Sequence, residues 1–311
     1  MKKILFVFLF LFNFILLAAC SKTDDYTITV VAPQGAPAVA VANEAVNAKD
    51  NYSFINANNI NEQFTSNEKD IIVAPINAGA SLFKAGTSTY KLGAVVTWGN
   101  LYFATQRTDI KSIDDLAGKK VTLFGEKTIN SSLARYVLNQ KNIEVTYEYK
   151  GSAEDTKTLL TDDSEAIVMT AEPALTAVTT QLKKANKTVT AFAISDLYKE
   201  VSGNNEFTQA GLFIKAETIE KHKAVLDAFL DKIKASCDAV TSNLDTTVSN
   251  IIALGNTGLP SAEAVLKNAL PKCNIKYVSA KDAKVALEKT VSIDSQKFGG
   301  ANPSDDFYYN K

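Results

Sequence analysis

The chain reads as α/β, folded into two lobes that each carry a parallel or mixed sheet flanked by helices, with two crossing strands between them. Three observations support this. Short β-branched runs alternate with helical stretches, the turns between them hold the Pro, Gly, Asn and Ser that open helices, and two long β-rich runs break the alternation. With 311 residues, 46% of them hydrophobic, the chain has material for one large core or two medium ones.

At the start, Lys2 and Lys3 precede an apolar run over residues 4–17, then Ala18, Ala19 and Cys20. A cationic start, a short apolar core and small residues before a cut form an export pattern, and the run is too short to span about 30 Å of hydrocarbon comfortably. Residues 1–19 are therefore expected to be a cleaved signal peptide. Cys20 would open the mature chain, with 20–25 as a polar tether.

Tyr26-Thr27-Ile28-Thr29-Val30-Val31 alternates as a strand and enters Ala32-Pro33-Gln34-Gly35-Ala36-Pro37, after which Ala38-Val39-Ala40-Val41-Ala42-Asn43 supplies a helix. The same grammar recurs three times. Strand 70–74 passes through Pro75-Ile76-Asn77 into helix 78–84, strand 119–124 through loop 125–130 into helix 131–139, and strand 165–170 through Ala171-Glu172-Pro173 into helix 174–184. The β-rich runs 92–106 and 208–216 become crossing strands in a two-lobed chain. The expected division is lobe 1 over 26–103, lobe 2 over 104–207 and a return to lobe 1 over 208–311, bending near 103–106 and 207–211. Beyond 216 the chain turns helical. Ile219, Leu226, Phe229, Leu230, Ile233 and Cys237 share one face of a helix expected over 215–240, and further helices fall near 248–254 and 262–270.

Composition excludes several classes. A formal net charge of −1 without a dense basic run argues against a nucleic-acid partner. Arg107 and Arg135 are the two arginines, and bidentate capture of a carboxylate favours Arg over Lys, which weakens an amino-acid carrier. His222 is the sole histidine, and no Ser-His-Asp or Cys-His arrangement assembles around it. Ser66-Asn67-Glu68-Lys69 fits a Ser-x-x-Lys pattern without its companion elements. One His and few Cys disfavour a metal site, and no cofactor is expected. Apart from Cys20, the thiols are Cys237 and Cys273. In an exported chain they either pair or pack separately as small apolar side chains.

Four phrases carry a family resemblance: Ala32-Pro33-Gln34-Gly35-Ala36-Pro37, Thr97-Trp98-Gly99-Asn100-Leu101-Tyr102, Ile113-Asp114-Asp115-Leu116-Ala117-Gly118-Lys119-Lys120-Val121 and Ala171-Glu172-Pro173-Ala174. With them the chain resembles the solute-binding lipoproteins of ABC importers, which have the type II periplasmic-binding-protein-like fold. The resemblance is to the nitrate, sulfonate and taurine group, which also holds binders of thiamine and its pyrimidine precursors. Leu17-Ala18-Ala19-Cys20 resembles the bacterial lipobox. That likeness implies diacylglycerol on the Cys20 thiol, often a further acyl chain on the amino terminus, and an extracytoplasmic protein anchored to the bacterial membrane. The implied partners are a small-molecule solute, an ABC permease and its ATPase, with the chain acting as a monomer and not an enzyme. A surface adhesin that reuses the fold, or an enzyme, are the rival classes.

In open α/β sheets ligands sit beyond the carboxyl ends of strands, where helix starts present free N–H groups. Gln34, Gly35 and Ala36, with Asn77 and Ala78, are the expected contacts from lobe 1, and Thr128, Ile129, Asn130 and Ser131 those from lobe 2. Asn77, Asn130 and Ser131 either face ligand or cap their own helices. Trp98, beside Gly99 and Asn100, either stacks on a ring or walls the cleft, or packs in a core. Glu172 either accepts from a ligand amine or serves its own helix start. Gln209, on the returning crossing, either contacts ligand or pairs with hinge backbone. Ser112 is placed to cap a short helix that delivers the next strand.

Overall fold

The computed structural model describes residues 25–204 and 206–311. The expected signal peptide, the lipidated Cys20 and the tether up to residue 24 lie outside the described residues. The chain opens with β1 (Val30–Pro33), α1 (Ala36–Ala45), β2 (Tyr52–Ile55), α2 (Ile60–Ser66), β3 (Ile71–Pro75), α3 (Ile76–Lys84) and β4 (Lys91–Trp98). There follow β5 (Leu101–Thr105), β6 (Lys120–Phe124), α4 (Ile129–Gln140), β7 (Thr146–Lys150), α5 (Ala153–Asp162), β8 (Ile167–Ala171), α6 (Ala174–Lys184), β9 (Thr190–Ala193) and α7 (Ile194–Ser202). The return runs through β10 (Thr208–Ile214), α8 (Ala216–Lys221), α9 (Lys223–Ser242), α10 (Leu244–Leu254), α11 (Glu263–Ala269), β11 (Ile275–Ser279) and α12 (Ala280–Ile293).

Two mixed sheets result. The first has six strands in the order β11-β4-β10-β3-β1-β2, the second five in the order β7-β6-β8-β5-β9. Parallel pairs occur where strands are joined by helical crossovers, β1 with β2 and β3, and β6 with β7 and β8. The strands next to the crossings pair antiparallel, β10 with β3 and β4, and β5 with β8 and β9. The β-rich run 92–106 is thus two strands, one in each sheet. The chain changes sheet at Gly99-Asn100, so Phe103 to Thr105 lie inside the second sheet rather than at a bend. The return is made between β9 and β10, through α7.

Each sheet buries both faces, as parallel pairing requires. In the first sheet α1 packs with α9 and α10 on one side, and α2, α3 and α12 cover the other. Ala38 to Ala42 of α1 are all 0% exposed, so this stretch of the helix is apolar all round, as a helix held between a sheet and other helices must be. Its small side chains let it lie close. On the opposite face α3 rides on β10: a Cβ at Gly79 would fall 2.3 Å from the Phe213 ring, so glycine is needed there. In the second sheet α4 and α7 cover one face, and α6 with Leu160 of α5 the other.

One expectation is corrected and one open pair of readings is decided. The helix expected over 215–240 is two helices, α8 and α9, which break at His222 (φ −131°, ψ 33°). His222 turns its ring onto Tyr26, stacked with centroids 3.6 Å apart. Of the two readings for Cys237 and Cys273, separate packing holds: both thiols are free and buried in the core beside α1. Cys237 points its thiol at the Ala40 carbonyl, 3.5 Å away. Burial pushes both thiols well above the usual range, so each behaves as a small apolar side chain. At the opening of the second lobe, Ser112 precedes the 3-10 turn Ile113–Leu116. There the Asp115 carboxylate accepts from the amides of Lys111 and Ser112, each at 2.8 Å.

Candidate functional site at the junction of the two sheets

Both crossings meet the start of α4 at one place, and polar side chains fill it. Asn100, in the turn between β4 and β5, is 3% exposed. Its backbone N–H donates to Gln209 Oε1 at 2.9 Å, and Gln209 Nε2 donates to Asn130 Oδ1 at 3.3 Å. Gln209 on β10 therefore ties the outward crossing to the helix start of the second lobe. Asn100 also bonds the turn after β8, its Nδ2 donating to the Glu172 carbonyl at 3.4 Å and its carbonyl accepting from the Glu172 N–H at 3.1 Å. Four residues from four separate elements are joined in one network, three of them buried where a polar group must be partnered to be tolerated.

The first lobe reaches the same helix. The Ile129 N–H at the start of α4 donates to Asn77 Oδ1 at 3.4 Å. Asn77 is the second residue of α3, so its carboxamide caps a helix in the opposite lobe and not its own. Neither Asn130 nor Ser131 caps α4. Ser131, fully buried, donates to the carbonyls of Glu126 and Thr128 at 3.0 and 3.1 Å, and Thr128 donates to Gly125 at 2.8 Å. The positive end of α4 thus points at the other lobe, met by a neutral amide oxygen.

Glu172 serves its own helix start. Its carboxylate accepts from the Thr176 N–H at 3.1 Å and the Thr176 hydroxyl at 2.9 Å. Burial raises its pKa above the usual carboxylate range, against the opposing pull of the Thr176 bonds and of Lys272. Burial, and then the charge of Glu172, pushes the Tyr102 hydroxyl up to about 12. Lys272, from the first lobe, donates to Thr176 Oγ1 at 3.5 Å and to Asn268 Oδ1 at 3.0 Å. This further polar contact between lobes was missed in the sequence. Thr176 four residues after Glu172 is a local capping signal, but nothing near Lys272 in the chain points to it.

The remaining expected residues lie apart from this network. Trp98 is 2% exposed and packs in the core of the first lobe, its Nε1 donating to the Lys276 carbonyl at 3.0 Å. The Lys276 ammonium sits 4.8 Å from the ring centre and pairs with Glu206, so the indole is covered on the side of the return crossing. Gly99 beside it takes a positive φ of 38°. Gln34, Gly35 and Ala36 lie against the loop after α10. Gln34 Nε2 donates to the Asn256 carbonyl at 3.1 Å, and the Gly35 N–H to Thr257 at 2.9 Å. Ala78 follows Asn77 on α3 and is half-buried.

The sequence profile of the NMT1/THI5 like family matches residues 82–246, more than half of the 311-residue chain. The chain belongs to the NMT1/THI5 like family. The match runs from the end of α3 through the whole second sheet to the start of α10, and so includes both crossings. Comparison with curated proteins yields no match. Solved structures bear the same fold. An ABC transporter from Parabacteroides distasonis aligns with a TM-score of 0.73 at 22% identity, over 92% of this chain and 100% of that one. The ligand-binding component of an ABC-type import system from Staphylococcus aureus, with zinc bound, aligns at 0.65 and 14%, over 91% and 96%. The periplasmic aliphatic sulphonate binding protein of Escherichia coli aligns at 0.63 and 14%, over 91% and 92%. This member of the NMT1/THI5 like family has the two-lobed type II periplasmic binding fold.

Proposed function

We propose that the chain is the solute-binding component of an ABC importer, held to the membrane through Cys20 and taking a small polar solute between its lobes. One observation carries this: Asn77, Asn130 and Gln209, three carboxamides from both lobes and the return crossing, converge on the start of α4, and the Asn100 backbone N–H of the outward crossing is tied to Gln209. Carboxamides offer donors and acceptors without charge. Arg107 is engaged by Asp109 and Glu165 instead. The site therefore suits a polar solute read by hydrogen bonds, with the α4 start available to a carbonyl or anionic edge.

In the proposed mechanism solute enters while the lobes are apart and takes over the contacts that Asn77 and Gln209 make to α4. It stabilises the lobes together by binding that state more tightly. Bending falls at Gly99-Asn100 and in the return before β10, where only single chain segments join the sheets. Two or more acyl chains hold a protein to a bilayer far better than one, which keeps the receptor beside its permease and the separate ATPase. No chemistry on the solute is invoked. Among the described residues no group of three His, Cys, Asp or Glu side chains is placed to hold a metal, and His222 is engaged with Tyr26.

The test is a metabolite screen by thermal shift and by fluorescence of Trp98, the one tryptophan. A cognate solute at about 100 times its Kd should add about 2.7 kcal/mol of stability. Small-angle scattering with that solute should show a smaller radius. An unchanged radius would remove the hinge, and a screen without any stabilising solute would remove the receptor assignment.

A further inference from the structure

Away from the carboxamide network, a concavity of about 360 Å³ lies between α4 and the end of α12, lined by Ser132, Arg135, Tyr136, Asn139, Gln140, Ile293 and Asp294. The five α4 residues fall at i, i+3, i+4, i+7 and i+8, one face of a helix whose other face is core. Asn139 and Gln140 at its far end are exposed to solvent, while Ser132 and Arg135 face Asp294 of the other lobe. The size lies at the low end for small-molecule pockets, roughly 300–1,000 Å³.

Two charged groups in it are incompletely matched. Arg107 makes three bonds to carboxylates at 2.7–2.9 Å. Among the described residues Arg135 reaches only the Ser132 hydroxyl at 3.2 Å and the Tyr149 hydroxyl at 3.4 Å, with its nearest carboxylate there, Asp294, 3.9 Å away. Asp294 precedes the 3-10 turn Ser295–Phe298, where an Asp side chain ordinarily caps, but it makes no capping bond. Its Oδ2 turns to the other lobe and accepts from Ser132 at 2.6 Å, while Oδ1 has no hydrogen bond among the described residues.

We propose that this concavity is a second small-molecule site, taking a free α-amino acid or a zwitterion like it. Its carboxylate meets the guanidinium fork of Arg135 and its ammonium meets Asp294 Oδ1, with the side chain along Tyr136 and Ile293. A simple anion is repelled by Asp294 and a simple cation by Arg135, so only a molecule carrying both charges satisfies both walls. Arg135 lies in one lobe and Asp294 in the other. Occupancy therefore favours the lobes together and raises solute affinity at the carboxamide network by the same factor that solute raises affinity here.

With two arginines in the chain, the Nε–H region of a proton–nitrogen NMR spectrum holds two cross-peaks, and Arg107→Lys assigns them. L-Alanine should move the Arg135 peak saturably, while sodium acetate and methylammonium chloride at equal ionic strength leave it in place. Asp294→Asn should weaken the response by about 10- to 100-fold, the usual cost of losing one charged hydrogen-bond partner. Lys120→Gln, at an exposed ion pair with Glu148 outside both sites, should retain it. The proposal is overturned by no saturable movement up to about 50 mM L-alanine, well beyond a millimolar Kd. An equal response to acetate, an undiminished response in Asp294→Asn, or its loss in Lys120→Gln would overturn it too.

Discussion

Replacing Gln209 with Leu tests the network at its centre, because the two side chains are close in size and the change removes hydrogen bonds without opening a cavity. The Asn100 N–H loses its acceptor at 2.9 Å and, at 3% exposure, has no route to water. A buried donor left unpaired costs about 1–3 kcal/mol. Asn130 is half-buried and recovers water in place of its 3.3 Å bond, so its share is about 0.5–1 kcal/mol. The expected loss is about 1.5–4 kcal/mol, which at about 2–4 °C per kcal/mol lowers Tm by roughly 3–16 °C. Urea titration should show a lower midpoint with an unchanged slope, the sign that stability rather than the extent of unfolding has changed. Solute affinity should fall at least tenfold, about 1.4 kcal/mol, if Gln209 also reads the solute. A variant with the wild-type midpoint and wild-type affinity would refute the placement of Gln209 as the tie between crossings.

Other consequences concern charge and thiols. Burial pushes the Asp70 carboxyl up, but bonds from Thr218, Tyr26 and Thr29 outweigh it and hold the pKa below the ordinary 3.8. Such a group adds stability above its unfolded pKa that is lost as pH falls through the folded one. Asp70→Asn should therefore cost about 1.5–3 kcal/mol at pH 7 by denaturant titration, and the gap to wild type should shrink in acid. For Glu172 the sign is opposite. Its pKa is raised above the ordinary 4.5 by burial, so the folded state binds more protons than the unfolded one and stability falls as pH rises above that value. Relative to wild type, Glu172→Gln should gain ground between pH 4 and 7, and a constant difference would contradict the burial argument. Both cysteines should stay silent to a thiol reagent in native protein and react fully in denaturant without a reductant; disulfide formation would leave them silent in both.

The strands β3, β6 and β8 and the helices that follow them were legible because each is a local pattern: a β-branched run, a turn residue, an apolar face. Less visible were β7 and β9, whose residues alternate exposed and half-buried at the sheet edges and carry little apolar signal. The break at His222 was hidden for a related reason, since the apolar spacing continues across it from Ile219 to Leu226. In the site, the residue types were legible and their partners were not. Asn77 looked like a cap for α3, yet its partner Ile129 is 52 positions away, and Lys272 meets Thr176 across 96. Such pairs depend on how two sheets face one another, which no local periodicity encodes. Trp98 shows the same limit: its position beside Gly99 was legible, but not the cover that Lys276 and Glu206 provide.

Native mass spectrometry of the protein purified gently from the cells that make it bears most directly on solute capture between the lobes. The account expects a retained small molecule whose mass adduct disappears in Gln209→Leu and whose readdition raises Tm. Protein that carries no small molecule and is stabilised by no fraction of those cells' metabolite extract would contradict it, as would an adduct that Gln209→Leu and Asn77→Ala both keep.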